Sequence, residues 1–303
     1  MKRVVSVSLG SSQRNHRLRT EFLNQEVLIE RIGTDGNLKK ARSLLEELDG
    51  RVDALGLGGI DLYIRAGEKR YVFRDARGMI KNVTRTPVVD GSGLKDSLEK
   101  RIIFSLAREY QLDLSHKSVF LVCGVDRPGM AEALEELGAS VTYGDLIFSL
   151  RLPLPIRSLQ GLNRVASIVA PIVCRLPFKL VYPTGDKQES SKGKKRYRPY
   201  FQQAEVIAGD YHFIKRNSPE RMADKIIITN TVTESDVEEL RAKGVSMLIT
   251  TTPKLEGRSF GSNVMEALLV ALMGKGLDRM TEKEYLQLAD EMCLKPRIEK
   301  LQS

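Results

Sequence analysis

Strands that alternate with helices predict an α/β protein with two α/β domains, the second a Rossmann-like, mostly parallel sheet. Three observations carry this. Short apolar runs recur between segments of helical spacing. Several of those runs stop at small polar residues, as strands do where open α/β sheets bind ligands. The chain has 303 residues, 42% of them hydrophobic, enough to bury the cores of one large or two ordinary domains.

The elements follow in order. Residues 4–8 alternate Val and Ser and lead into a polar loop at 9–17. A second strand is expected over 26–32. Leu38, Ala41, Leu44, Leu45 and Leu48 share one helical face before Asp49-Gly50. A third strand, 52–57, runs into a glycine-rich turn, 56–61, read as a tight turn or a close backbone approach to a ligand, and residues 62–73 read as a hairpin. A helix over 94–110 leads to a second series, with strands at 118–123, 140–143, 205–208, 225–229 and 246–250. Helices lie between them at 129–137 and 234–242, the latter opened by Thr233-x-x-Asp236. Residues 151–183 are apolar and interrupted by five prolines, with no regular element assigned. Helices at 264–273 and after Thr281-x-x-Glu284 close the chain. The domains expected are 1–92, 93–262 and a C-terminal helical part, 263–303, that returns to the first.

Composition narrows the function classes. The net charge of +9 favours small anionic partners. Aromatic residues are 6% of the chain with no Trp, which disfavours nucleic acid. Residues 186–200 carry six Lys or Arg and read as a solvated loop rather than a lid for phosphate or nucleic acid. No apolar run reaches the roughly 18–20 residues of a membrane span, so no membrane is expected. Three distant cysteines, Cys123, Cys174 and Cys293, fit a reducing, cytoplasmic setting. Three His without CxxC or HxxxH argue against a metal site. A homo-oligomer stays open.

The strongest local motif is 117–145. An apolar strand stops at Gly124, Pro128-Gly129 opens a helix, and the next strand ends near Asp145, 21 residues after Gly124. Free N–H groups at a helix start attract phosphate. Arg127 adds a charged donor. An acid at the Asp145 spacing accepts from an adenosine ribose and favours NAD over NADP. Gly124, Arg127, Gly129 and Asp145 are thus candidate cofactor residues. The loop Val125-Asp126-Arg127 replaces the usual glycines, so the unit also reads as a Rossmann-like fold for another ligand or none. Ser11, Ser12 and Arg14 offer hydroxyls and a guanidinium to a carboxylate or a phosphate. A third anion candidate is the helix start near Ser262, with Arg258 beside it.

Asn82-Val83-Thr84, Asp90-Gly91-Ser92-Gly93 and Thr250-Thr251-Thr252-Pro253 together resemble the shikimate/quinate 5-dehydrogenase family, in fragments. The resemblance implies an NAD(P)-dependent oxidoreductase acting on a polyhydroxylated cyclic acid such as quinate or shikimate. Thr251 and Thr252 would then lie at the cofactor. Asp90 matches the family's catalytic acid, and Lys95 or Lys81 takes the place of its absent lysine as proton acceptor. The alternative is a non-redox α/β protein binding a phosphorylated metabolite or nucleotide.

Overall fold

The computed structural model describes residues 1–67, 69–150, 152–177, 197–276 and 280–302. The basic stretch expected at 186–200 lies mostly outside the described residues, which resume at Tyr197.

The strands of the first half are β1 (Lys2–Ser8), β2 (His16–Phe22), β3 (Gln25–Gly33), β4 (Ala54–Gly58), the hairpin β5 (Tyr63–Ala66) and β6 (Lys69–Val72), and β7 (Val88–Val89). They form a sheet ordered β2-β3-β1-β4-β7, with the hairpin separate. Only β2 runs antiparallel to its neighbour. The Val–Ser alternation of β1 has a packing cause. Val5 and Val7 enter the core beneath helix α1 (Leu38–Leu48), together with Ala41, Leu45, Leu55 and Leu57. Val4 faces the opposite core. Ser6 accepts a hydrogen bond from Asn263 at 2.7 Å. Both faces of the sheet are therefore covered, as parallel strands require. Helix α2 (Arg74–Ile80) adds Ala76 and Met79 to the α1 side.

After β7 come α3 (Ser92–Asp96) and α4 (Leu98–Arg108), then the second sheet. Its strands are β8 (Ser118–Leu121), β9 (Ser140–Tyr143), β10 (Val206–Ala208), β11 (Ile226–Thr229) and β12 (Met247–Thr250). The short pair β13 (Lys254–Leu255) and β14 (Arg258–Ser259) follows, and β15 (Arg297–Lys300) closes one edge. The order is β15-β12-β11-β10-β8-β9, parallel except for β15. One face carries Val119 and Leu121 against α5 (Pro128–Glu136). The other carries Phe120, Ile207, Ile227 and Leu248 against Phe201, Ile214 and Val237. These come from α8 (Arg198–Gln203), α9 (Tyr211–Asn217) and α10 (Glu234–Ala242), which follow α6 (Asp145–Ser149) and α7 (Leu159–Val173).

The protein is thus an α/β fold with two sheets. Two helices tie the halves together. The N-terminal part of α7 adds Leu162 to the second core, while its end adds Val173 to the first. Helix α11 (Ser262–Met273) packs on β1 and β4, followed by α12 (Glu282–Glu291). Gly56 permits that contact, since a Cβ there would lie 2.8 Å from the Asn263 carbonyl oxygen. The close approach expected of this glycine-rich strand end is made to a helix. The Pro-rich region left without an element contains the 15-residue α7, capped by the Ser158 side chain on Gly161 N–H, with Pro171 held in its final turn.

Candidate functional site

The carboxyl ends of both sheets meet at one cleft. Ser8 and Gly58 come from the ends of β1 and β4, and Asp90 follows β7. Asp126, Asp210 and Asn230 follow β8, β10 and β11. In each sheet the strand order reverses here, between β1 and β4 and between β8 and β10, where open α/β sheets hold ligands. The cavity measures about 130 Å³.

One end of the cleft is a closed ionic network. Lys95 Nζ donates to Asp61 at 2.6 Å and to Asp126 at 2.5 Å. Arg127, 1% exposed, pairs with Glu99 and reaches Asp126 and Asp210, each at 3.3 Å. Such a network is stable only because every buried charge has an opposite neighbour. Burial and the Asp126 carboxylate push Asp61 up to about 7. Against its own burial, Asp126 is pulled down to about 2 by Lys95 and Arg127. Asp90 accepts from Leu62 N–H at 2.5 Å and Ser92 N–H at 3.0 Å, which fixes the turn into α3.

The other end is basic. Arg14, Arg31, Arg258 and His212 line it, together with the first turn of α11, which no side chain caps. Arg14 pairs with Asp236 at 3.1 Å. Arg31 donates to the Ser11 carbonyl and the Ser8 hydroxyl, each at 3.0 Å. Burial and the neighbouring Arg14 hold the Arg258 pKa below its usual value. Burial, then Arg14, depresses His212 to about 4, so it is neutral at physiological pH. Its Nδ1 is buried with no hydrogen-bond partner.

Asp90, Lys95, Arg127 and Arg14 all line this cleft. Lys81 is exposed at the end of α2, away from it. Ser11 and Ser12 serve the β1–β2 loop: the Ser11 hydroxyl accepts from Gln13 N–H, and Ser12 N–H donates to Asp35. Thr251 and Thr252 are buried behind the cleft, where Thr252 Oγ1 donates to the carbonyls of Asn230 and Phe260. Gly129 packs α5 against α3, its missing Cβ leaving 2.5 Å to the Lys95 carbonyl oxygen. Among the residues that sequence reasoning passed over, Asp61, Asp210, Arg31 and His212 stand out. Each reaches the cleft from a different strand end or loop. Only Asp210, after the strand end at 208–209, carried a positional signal.

The expected NAD-dependent quinate or shikimate dehydrogenase is corrected by this geometry. A pyrophosphate at the Gly124 turn needs its backbone N–H groups. Gly124 N–H and Val125 N–H instead both donate to Asp145, each at 2.9 Å. Asp145 is itself buried, which raises it to about 6, and it does not line the cleft. The start of α5 is filled by Arg127 and its three carboxylates. Neither NAD nor NADP fits these residues as cofactor. Among the described residues, no helix is long and apolar enough to cross a membrane.

No curated protein matches the sequence. Among solved structures, the chain is similar to a 5-methylthioribose transporter solute-binding protein from Thermotoga lettingae, crystallised with 5-methylthioribose, at 10% identity and a TM-score of 0.41, covering 99% of this chain and 85% of that one. It is also similar to a galactofuranose-binding protein, at 10% identity and a TM-score of 0.37, with 96% and 99% covered. A glutamate dehydrogenase from Thermus thermophilus gives 13% identity and a TM-score of 0.41, with 96% and 73% covered. Likenesses this loose do not identify a ligand. Residues 3–90 match a domain of unknown function, DUF8753. Residues 93–301 match another, DUF8754, and since that match spans more than half of the protein, the chain belongs to the DUF8754 family.

Proposed function

We propose that the cleft binds a small phosphorylated metabolite without redox chemistry. The observation that carries this reading is the convergence of Arg14, Arg31 and Arg258 with the unpartnered Nδ1 of neutral His212 at the uncapped start of α11. Guanidinium groups bind phosphate oxygens through charge-assisted hydrogen bonds, and a helix start adds a favourable dipole. The opposite end of the cleft supplies acceptors, Asp61, Asp90, Asp126 and Asp210, which suit hydroxyl groups. A phosphorylated polyol, with its phosphate on the arginines and its hydroxyls on the carboxylates, matches both ends.

The test is calorimetry with paired ligands. Pentose and hexose phosphates are expected to bind at least ~10-fold more tightly than the same sugars without phosphate, because charged hydrogen bonds contribute about 1.5–3 kcal/mol each. NAD is expected not to bind. Equal affinity for the free sugars and their phosphates overturns the proposal.

A further inference from the structure

A second cavity adjoins the cleft, and its chemistry is the opposite. It lies beneath α7 and is lined by Ile64, Phe73, Val125, Leu162, Val169 and Val173, with Cys123 and the small Ala166 and Ala170 beside them. Its volume is about 100 Å³. Asp126 and Phe213 line both cavities, so the two meet at that pair. Asp126 is turned to the cleft by Lys95 and Arg127. The apolar part of the wall is therefore the Phe213 ring, on a short helix of the second sheet.

An apolar cavity of this size loses packing on every side and destabilises the fold unless something fills it. Its two carboxylates already have partners, Asp145 the Gly124 and Val125 N–H groups and Asp126 the Lys95 ammonium, and apart from these and Cys123 the lining is apolar, which leaves water few of the polar partners it needs. A polar cleft that shares the Phe213 wall with an apolar pocket matches a ligand that is polar at one end and apolar at the other. Resting on the phosphate reading of the cleft, we infer that the ligand is an amphiphilic phosphomonoester, its phosphate on Arg14, Arg31 and Arg258 and a short hydrocarbon tail beneath α7. The mouth of the pocket has matching chemistry. Leu150 lines the cavity and is 37% exposed. The tail can come from a free metabolite or from a lipid.

The experiment compares inorganic phosphate with ethyl, butyl and hexyl phosphate by calorimetry on the full chain. Affinity is expected to rise by about four-fold for each methylene buried, then level off when the pocket is full. Ala166→Leu and Ala170→Leu fill the pocket from α7. Each is expected to abolish the gain from the chain while leaving the inorganic phosphate affinity within two-fold of the parent, because the cavity accepts the added volume. Using both variants guards against one of them failing to fold. Sedimentation with vesicles containing phosphatidic acid separates the sources: binding there points to a lipid, and binding of hexyl phosphate alone points to a free metabolite. No binding of any phosphate sinks the phosphate reading of the cleft itself. Phosphate binding that ignores chain length, or that keeps its chain dependence in both filled variants, overturns the amphiphile and leaves the phosphate site standing.

Discussion

Two helix starts face the cleft, and they differ in what neutralises them. At the start of α5, the protein supplies its own counter-charges: Arg127 is surrounded by Glu99, Asp126 and Asp210, and Asp145 takes the N–H groups of the preceding turn. Neither helix has a side-chain cap, but at the start of α11 burial and the neighbouring Arg14 both disfavour the charge on Arg258. The first arrangement is complete without a ligand, whereas the second is the one proposed to hold an anion. Arginine beside a helix start is therefore not by itself a phosphate site. What matters is whether carboxylates of the same chain have already filled it.

Substitutions at the two arginines separate these roles. Arg127→Ala leaves the buried Glu99 without its cation and takes one from the half-buried Asp126 and Asp210, and is expected to cost about 3–5 kcal/mol of stability in chemical denaturation. Arg258→Ala is expected to leave stability within about 0.5 kcal/mol. It should weaken sugar phosphate binding by about 10–100-fold, the loss of one charged hydrogen bond. If Arg127→Ala proves harmless to folding, or Arg258→Ala harmless to binding, the distinction between a closed and an open helix start fails.

The pH dependence sharpens the same contrast. His212, at the basic end, is lowered to about 4 in the folded protein against 6.5 unfolded. The unfolded chain binds the proton more readily between those values. The contribution of His212 to stability is therefore present above pH 6.5 and lost as pH falls towards 4. Asp61, at the acidic end, is raised from 3.8 to about 7, so its contribution is present below pH 3.8 and lost as pH rises through 7. Asp61→Asn should therefore raise the melting temperature at pH 8 by about 2–4 °C per kcal/mol recovered, and do so less at pH 5. A melting temperature for Asp61→Asn that tracks the parent at both pH values would show that Lys95 fully compensates the carboxylate. The smallest effect is expected at Lys81. Lys81→Ala, on the surface away from both helix starts, should change neither binding nor stability by more than about 0.5 kcal/mol.

Local pattern was sufficient for the regular elements. Leu38–Leu48 and Glu234–Ala242 carry apolar spacing and caps within their own residues, and β9 carries its apolar alternation. Elements stabilised by a partner were harder to see. Strand β2 alternates buried and exposed residues but is dense with charge, and β15 is only Arg-Ile-Glu-Lys. Each becomes a strand by pairing at a sheet edge, a property of its neighbour. Helix α7 was hidden by its prolines, and its amphipathic face is defined by the two cores that it bridges.

The sequence by itself determined the α/β class, the strand–helix unit at 118–145 and the presence of Asp90, Lys95, Arg127 and Arg14 as charged groups near strand ends. Whether those charges meet a ligand or one another was decided only in three dimensions. Asp145 and Gly124 are 21 residues apart, and the spacing suits a ribose contact as well as it suits an internal hydrogen bond. The outcome depends on whether the carboxylate folds back onto the turn. Arg14 and Arg258 lie on opposite sides of the chain's length, yet they act on one another across a cleft. Electrostatic interactions depend on distance and burial, neither of which is written in residue order.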